Sequence, residues 1–253
     1  MSDNRDRPVF IFGCAWRCGS TLLQRLVSSS KEVFIWGENN GMISQFCRMG
    51  ANLSEWAAYI QQQRINFEKN GLNSWIANLN PSFSDTFIHA SRNFLIEYYY
   101  PETTELGFQR WGFKEVRYGA PEAQFLFRCF PDSRLLFLLR HPKDALASAA
   151  ATDWYSKIGY AEGVINQWSR NVSTVLNMQD ERIQFMKYET LVNNTEEAIT
   201  LIAKHIGVSA EKFDPNMLSF RFRASNKPPN LGNSELQVLD SPKLLKLARK
   251  VGY

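Results

Sequence analysis

The sequence lacks any apolar run near the ~20 residues that a membrane-crossing helix needs. Its first residues, Met1 to Arg7, are polar and lead straight into an apolar segment at Val9. Neither a membrane span nor a secretory leader is therefore expected. Cysteine is scarce, with Cys14, Cys18, Cys47 and Cys129 and no C-x-x-C pair among them. A disulfide frame or a zinc site is not expected, and free thiols suit a reducing cytoplasm. No metal is expected anywhere, since no clustered ligand set is visible. Lysine and arginine are scattered through a chain of net charge +4, without a basic run or a nucleic-acid-binding motif. A nucleic-acid partner is thereby disfavoured, whereas an anionic small molecule is not. Internal repeats and linker-like stretches are missing too. At 253 residues, one domain spanning 1–253 with a single core is expected.

What is present begins at Pro8 to Arg25, PVFIFGCAWRCGSTLLQR. Val9 to Phe12 has the composition of a buried strand, Gly13 to Gly19 makes a compact turn, and Leu22, Leu23, Leu26 and Val27 keep helical spacing. Strand, glycine turn and helix N-terminus aim unpaired N–H groups and the positive end of the helix dipole at one spot, suited to phosphate or sulfate. The nearest pattern is the Walker A loop, yet Ser20 stands where its lysine would be. A kinase or NTPase is disfavoured, and Arg17 is the cation the loop carries instead.

Further along, strand-like runs alternate with helical ones, which implies a parallel sheet flanked by helices in three layers. Val33 to Trp36 is the second strand, and Glu38 follows it. Ligands of such sheets sit at the carboxyl ends of strands, so Glu38 should face the same crevice as the glycine turn. Residues 42–105 break the rhythm and read as a helical insertion. Within it, Ser54 to Lys69 is expected as an amphipathic helix with Trp56, Tyr59, Ile60 and Phe67 on one face. Ser84 to Tyr100 is expected as another, with Phe87, Phe94, Leu95 and Tyr98 as apolar members. Trp111 to Val116 is a strand interrupted by Lys114, a cation costly to bury unless it meets an anion. Arg134 to Leu139 is a continuous apolar run typical of a central parallel strand, and it delivers Arg140. Trp154 to Asn177 should form a long helix. Ile183 to Glu189 reads as a strand running toward Leu191, and a short helix closes the chain over Leu244 to Lys250.

Arg17-Cys18-Gly19-Ser20-Thr21 after a hydrophobic strand resembles the 5′-phosphosulfate loop of the sulfotransferases, in the form found in tyrosylprotein and many bacterial members. The resemblance extends to Arg140, Pro142, Asp144 and Ser148, which match the 3′-phosphate motif, and to Tyr188-Glu189 before Leu191-Val192. It runs over nearly the whole chain and is weakest across 42–105. It implies a P-loop-like α/β fold and 3′-phosphoadenosine 5′-phosphosulfate as donor, with adenosine 3′,5′-bisphosphate as product and no metal. It also implies roles. Arg17, Cys18, Gly19, Ser20 and Thr21 would hold the 5′ side, Arg140 and Ser148 the 3′-phosphate, Tyr188 would lie by the nucleotide, and Lys227 would close over it from the 225–232 loop. Glu38 would be the base and Lys114 would hold the sulfuryl oxygens. His89 is the reserve base, because cytosolic relatives use a histidine. Thr152 stands where the tyrosylprotein enzymes carry a further arginine, so that contact is not expected. Cys18 occupies a variable position and reads as a bystander rather than a nucleophile. The acceptor reads as a cytoplasmic small molecule, a natural product or carbohydrate, receiving the group on a hydroxyl or an amine. A small-molecule kinase and a non-catalytic nucleotide-binding module stand as alternatives.

Overall fold

A computed structural model of the chain describes residues 3–81, 83–152, 155, 160–219 and 231–253. Five parallel strands form the centre: β1 (Val9–Gly13), β2 (Val33–Trp36), β3 (Arg110–Glu115), β4 (Arg134–Leu139) and β5 (Ile183–Lys187). Their order is β2-β3-β1-β4-β5. All of β1 is buried, and β4 is buried beyond its first residue. Helices cover both faces, which is why these strands read as unbroken apolar runs rather than alternating ones.

One face carries α1 (Ser20–Ser29) and α9 (Thr195–Ile206), the latter closed by Gly207 in the left-handed region at φ 69°. The other carries α2 (Met42–Glu55), α4 (Phe83–Glu105), α5 (Ala120–Cys129) and α7 (Tyr160–Leu176), which pack on one another. Between and after these lie α3 (Ala57–Asn70), α6 (Pro142–Ala150), α8 (Tyr188–Asn193), α10 (Asn233–Leu239) and α11 (Pro242–Lys250). Right-handed crossovers account for the arrangement: β1 leads leftward through α1, while β2, β3 and β4 lead the other way. No described helix is long and apolar enough to cross a membrane.

The core is rich in rings. Tyr99 of α4 stacks on Trp111 at 5.2 Å, Phe10 meets Phe113 at 4.9 Å, and Phe130 meets the edge of Trp111 at 5.3 Å. Burying each such ring contributes roughly 1.5–3 kcal/mol. Close approach also depends on Gly112, where a Cβ would stand 1.7 Å from the Val9 carbonyl oxygen. Any side chain there would push β3 off β1.

The insertion differs from the sequence expectation in three ways. The Ser54–Lys69 helix is two helices, with Trp56 at the junction and α2 running upstream of it. Trp56 and Tyr59 are exposed while Ile60 is buried, so the expected apolar face is not a buried one. In α4 the buried apolar residues are Leu95, Ile96 and Tyr99, whereas Phe94 and Tyr98 face outward, and the helix runs through Pro101 to Glu105. Elsewhere, Tyr188 and Glu189 open α8 instead of ending a strand. Of the expected helix over 154–177, the structure describes α7, and its stripe of Ile165, Trp168 and Val172 is buried as expected. The described ends of that helix and of the 225–232 loop exclude Trp154 and Lys227, which lie outside the described residues.

Candidate active site

In this strand order the connections diverge at β1 and β4, one leading to each side of the sheet. The crevice beyond their carboxyl ends is where open α/β sheets bind ligands. The loop from β1 enters it with Arg17 at φ 64° and Gly19 at φ 95°. A left-handed arginine is uncommon, and here it turns the loop back so that α1 begins at Ser20 without a side-chain cap. The Leu22 and Leu23 N–H groups bond the Gly19 carbonyl oxygen at 2.9 and 3.3 Å, which leaves the very start of α1 facing the loop. Ser20 is buried at this N-terminus, and Thr21 is exposed.

The loop from β4 supplies Arg140 to the same place. Arg140 Nη1 donates to the Arg17 carbonyl oxygen at 2.7 Å, and Arg17 Nε donates to Ser148 Oγ of α6 at 3.4 Å. Burial, then the Arg140 charge, lowers the Arg17 pKa from its usual value. Among the described residues no carboxylate forms an ion pair with either arginine. Arg140 Nε is buried without a hydrogen-bond partner. Two close guanidiniums and an orphaned donor make a concentrated anion site.

Tyr188 braces it. The Arg140 guanidinium lies 4.4 Å over the Tyr188 ring, whose edge fills the space where a Cβ on Gly19 would be, 2.4 Å away. The next residue, Glu189, accepts the His141 N–H at 3.0 Å and the Tyr253 O–H at 2.8 Å. Burial and the Glu189 carboxylate push the Tyr253 phenol well above its ordinary range. The end of the chain therefore clamps the β4 loop from behind.

Cys18 and Cys14 are both fully buried beneath the loop. A hydrogen bond from Cys14 holds the Cys18 thiol below its usual value, while burial pushes Cys14 up. With its sulfur in the core, Cys18 can face a ligand through its backbone alone, which agrees with a bystander thiol.

Across the crevice, the loop from β2 and the carboxyl end of β3 bring Glu38 and Lys114 together, Nζ to Oε1 at 2.6 Å. Arg117 Nη2 lies 3.4 Å from Glu38 Oε2. Arg117 Nη1 donates to both oxygens of fully buried Glu115 at 3.0 Å. Glu115 also accepts the N–H of Val116 at 2.9 Å and of Gly41 at 3.3 Å. Tyr118 O–H donates to Asn39 and accepts the Ile43 N–H at 2.9 Å, fixing the far side of the Glu38 loop.

His89 is elsewhere. It sits on the exposed part of α4, beside Arg92, Arg128 and Pro131, near where the chain enters the amino end of β4. It is thus at the opposite end of the strands from Glu38, away from the two arginines. Thr152, buried after α6, bonds the Ala149 carbonyl. The sequence assigns no role to Arg117, Glu115, Glu189 or Tyr253. The signal available was Lys-Glu-x-Arg at the end of an apolar strand, where every charge needs a partner.

A five-stranded parallel sheet with two arginines gathered over a glycine turn defines an anion-binding site on a P-loop-like α/β fold. The chain belongs to the sulfotransferase family, whose model matches residues 8–212. Two solved structures share the fold. The sulfotransferase domain from the curacin biosynthetic pathway is 16% identical with a TM-score of 0.57, covering 98% of each chain. The sulfotransferase domain from the Synechococcus PCC 7002 olefin synthase is 19% identical with a TM-score of 0.55, covering 100% of this chain and 96% of that one. No curated protein matches the chain in sequence at a significant level.

Proposed function

We propose that this sulfotransferase moves a sulfuryl group from 3′-phosphoadenosine 5′-phosphosulfate to a hydroxyl or amine of a small-molecule acceptor, a natural product or carbohydrate met in the cytoplasm. The observation that carries the reading is the meeting of Arg17 and Arg140 at one point, facing the Glu38–Lys114 pair on the same edge of the sheet. The residues fit the donor. Arg140 Nε lacks a partner in a buried position, and the uncapped start of α1 points N–H groups at the same loop. Bidentate guanidinium donors and helix N–H groups are the chemistry that phosphates recruit.

When bound, the donor supplies an activated sulfuryl group whose departure leaves a phosphate oxygen. Arg17 and the α1 N-terminus are assigned to the 5′ side, where leaving-group charge builds, and Arg140 with Ser148 to the 3′-phosphate. Because Ser148 Oγ already accepts from Arg17 Nε, its own proton is left for an anion. Tyr188 holds the Arg140 plane. Lys114 would hold the sulfuryl oxygens, and the Glu38 carboxylate would accept the acceptor's proton. The acceptor wall is assigned to the 42–105 helices, because α2 starts directly after the Glu38 loop.

The test is transfer from labelled donor, with wild type and Glu38→Gln compared on an acceptor panel. Transfer by wild type and its loss in the variant support the reading. ATP bound more tightly than adenosine 3′,5′-bisphosphate would instead favour a kinase, and donor binding without any transfer would favour a silent module.

A further inference from the structure

We propose that Arg117 is a positioning residue for the Glu38 carboxylate, holding it in place through buried Glu115 when Lys114 leaves it for an anionic ligand. The proposal rests on the assignment of Glu38 as base.

The two cations that touch Glu38 are mounted differently. Lys114 reaches it through a single N–H donor on a flexible stem, and an ammonium can swing between neighbouring anions. Arg117 is fixed at three places. Its Nη1 is committed to both Glu115 oxygens, its Nη2 faces Glu38 Oε2, and its carbonyl oxygen accepts from Arg170 Nη2 at 3.0 Å. Glu115 is in turn joined to the backbone of β3's end by the Val116 N–H and to the Glu38 loop by the Gly41 N–H. A buried carboxylate left without its arginine is strongly unfavourable, so Arg117 stays where it is.

Lys114, Glu38, Arg117 and Glu115 make a row of alternating charge with no net charge. An anion that recruits Lys114 leaves Glu38 with one cation instead of two. The carboxylate then keeps its place because Arg117 remains. Ligand arrival thus frees Glu38 from Lys114 without releasing it from Arg117.

The experiment is carboxyl ¹³C NMR of the full chain at one pH, with the Glu38 signal assigned by its loss in Glu38→Gln. Wild type with adenosine 3′,5′-bisphosphate and inorganic sulfate added should keep a single sharp Glu38 signal, because Arg117 still holds the carboxylate. In Arg117→Met with the same additions the signal should broaden or split. Arg117→Lys should restore it toward wild type. Arg117→Gln, which keeps a hydrogen bond to Glu115, should broaden likewise and serves if the methionine variant does not fold. Equally sharp signals in wild type, Arg117→Met and Arg117→Gln would overturn the proposal. Because the spectra need no acceptor, they separate the two ideas. Broadening supports the Arg117 link even if Glu38→Gln transfers normally, a result that would sink the base alone.

Discussion

The two halves of the crevice handle charge in opposite ways. On the β1–β4 side Arg17 and Arg140 crowd together, held by a carbonyl oxygen, a hydroxyl and a ring face. On the β2–β3 side each cation has a carboxylate, and the row Lys114, Glu38, Arg117, Glu115 closes on itself. Like charges held close repel and are disfavoured unless a ligand compensates them. The first half is therefore built to be completed from outside, whereas the second is built to rearrange. Mutations should separate binding from turnover along that line.

Glu38→Gln should have the largest effect. Loss of a general base lowers turnover about 100-fold or more, read from labelled-donor transfer, while calorimetric affinity for the bisphosphate stays near wild type. A matching fall in affinity would mean that the two halves are not separable. Gly19→Val comes next, since it places a Cβ against the Tyr188 ring at a φ of 95°. A strained backbone of this kind costs roughly 1–3 kcal/mol, and bisphosphate binding should weaken along with stability in urea denaturation.

Tyr188→Ala should weaken bisphosphate binding by about 0.5–2 kcal/mol, through loss of the ring under Arg140, without changing the Glu38 carboxyl signal. Ser148→Ala should have the smallest effect, about 0.5–1.5 kcal/mol in the same calorimetry, because Arg17 loses a single hydroxyl partner at 3.4 Å. A larger loss there than in Tyr188→Ala would reverse the ranking of the supports.

The β1–β4 half was the more legible of the two. β4 spans Arg134–Leu139 as its apolar run indicates, and the glycine turn, Arg140 and Ser148 fall where the motifs put them. Local sequence carries that information because strand, turn and helix start are contiguous. In the other half the pairing of Glu38 with Lys114 joins residues far apart in the chain. Crevice geometry suggested a shared face, but not that the two would neutralise each other or that Arg117 would stand behind them. The insertion was least legible. α2 carries an apolar stripe at helical spacing, with Ile43 buried and Met42, Phe46 and Cys47 packed against the core, but Gly50 in its interior masks it as a break. In α4 neighbouring aromatics take opposite sides, Tyr99 inward and Tyr98 outward, and residue type alone cannot tell them apart. Pro101 argues for a stop that tertiary packing overrides.

The central claim is that two arginine-bearing loops serve one ligand. Titration calorimetry of adenosine 3′,5′-bisphosphate into wild type, Arg17→Ala and Arg140→Ala tests it most directly. The account predicts binding to wild type and a loss of at least ~1.5 kcal/mol in each variant, the worth of a charged hydrogen bond. Undiminished affinity in either variant would contradict it.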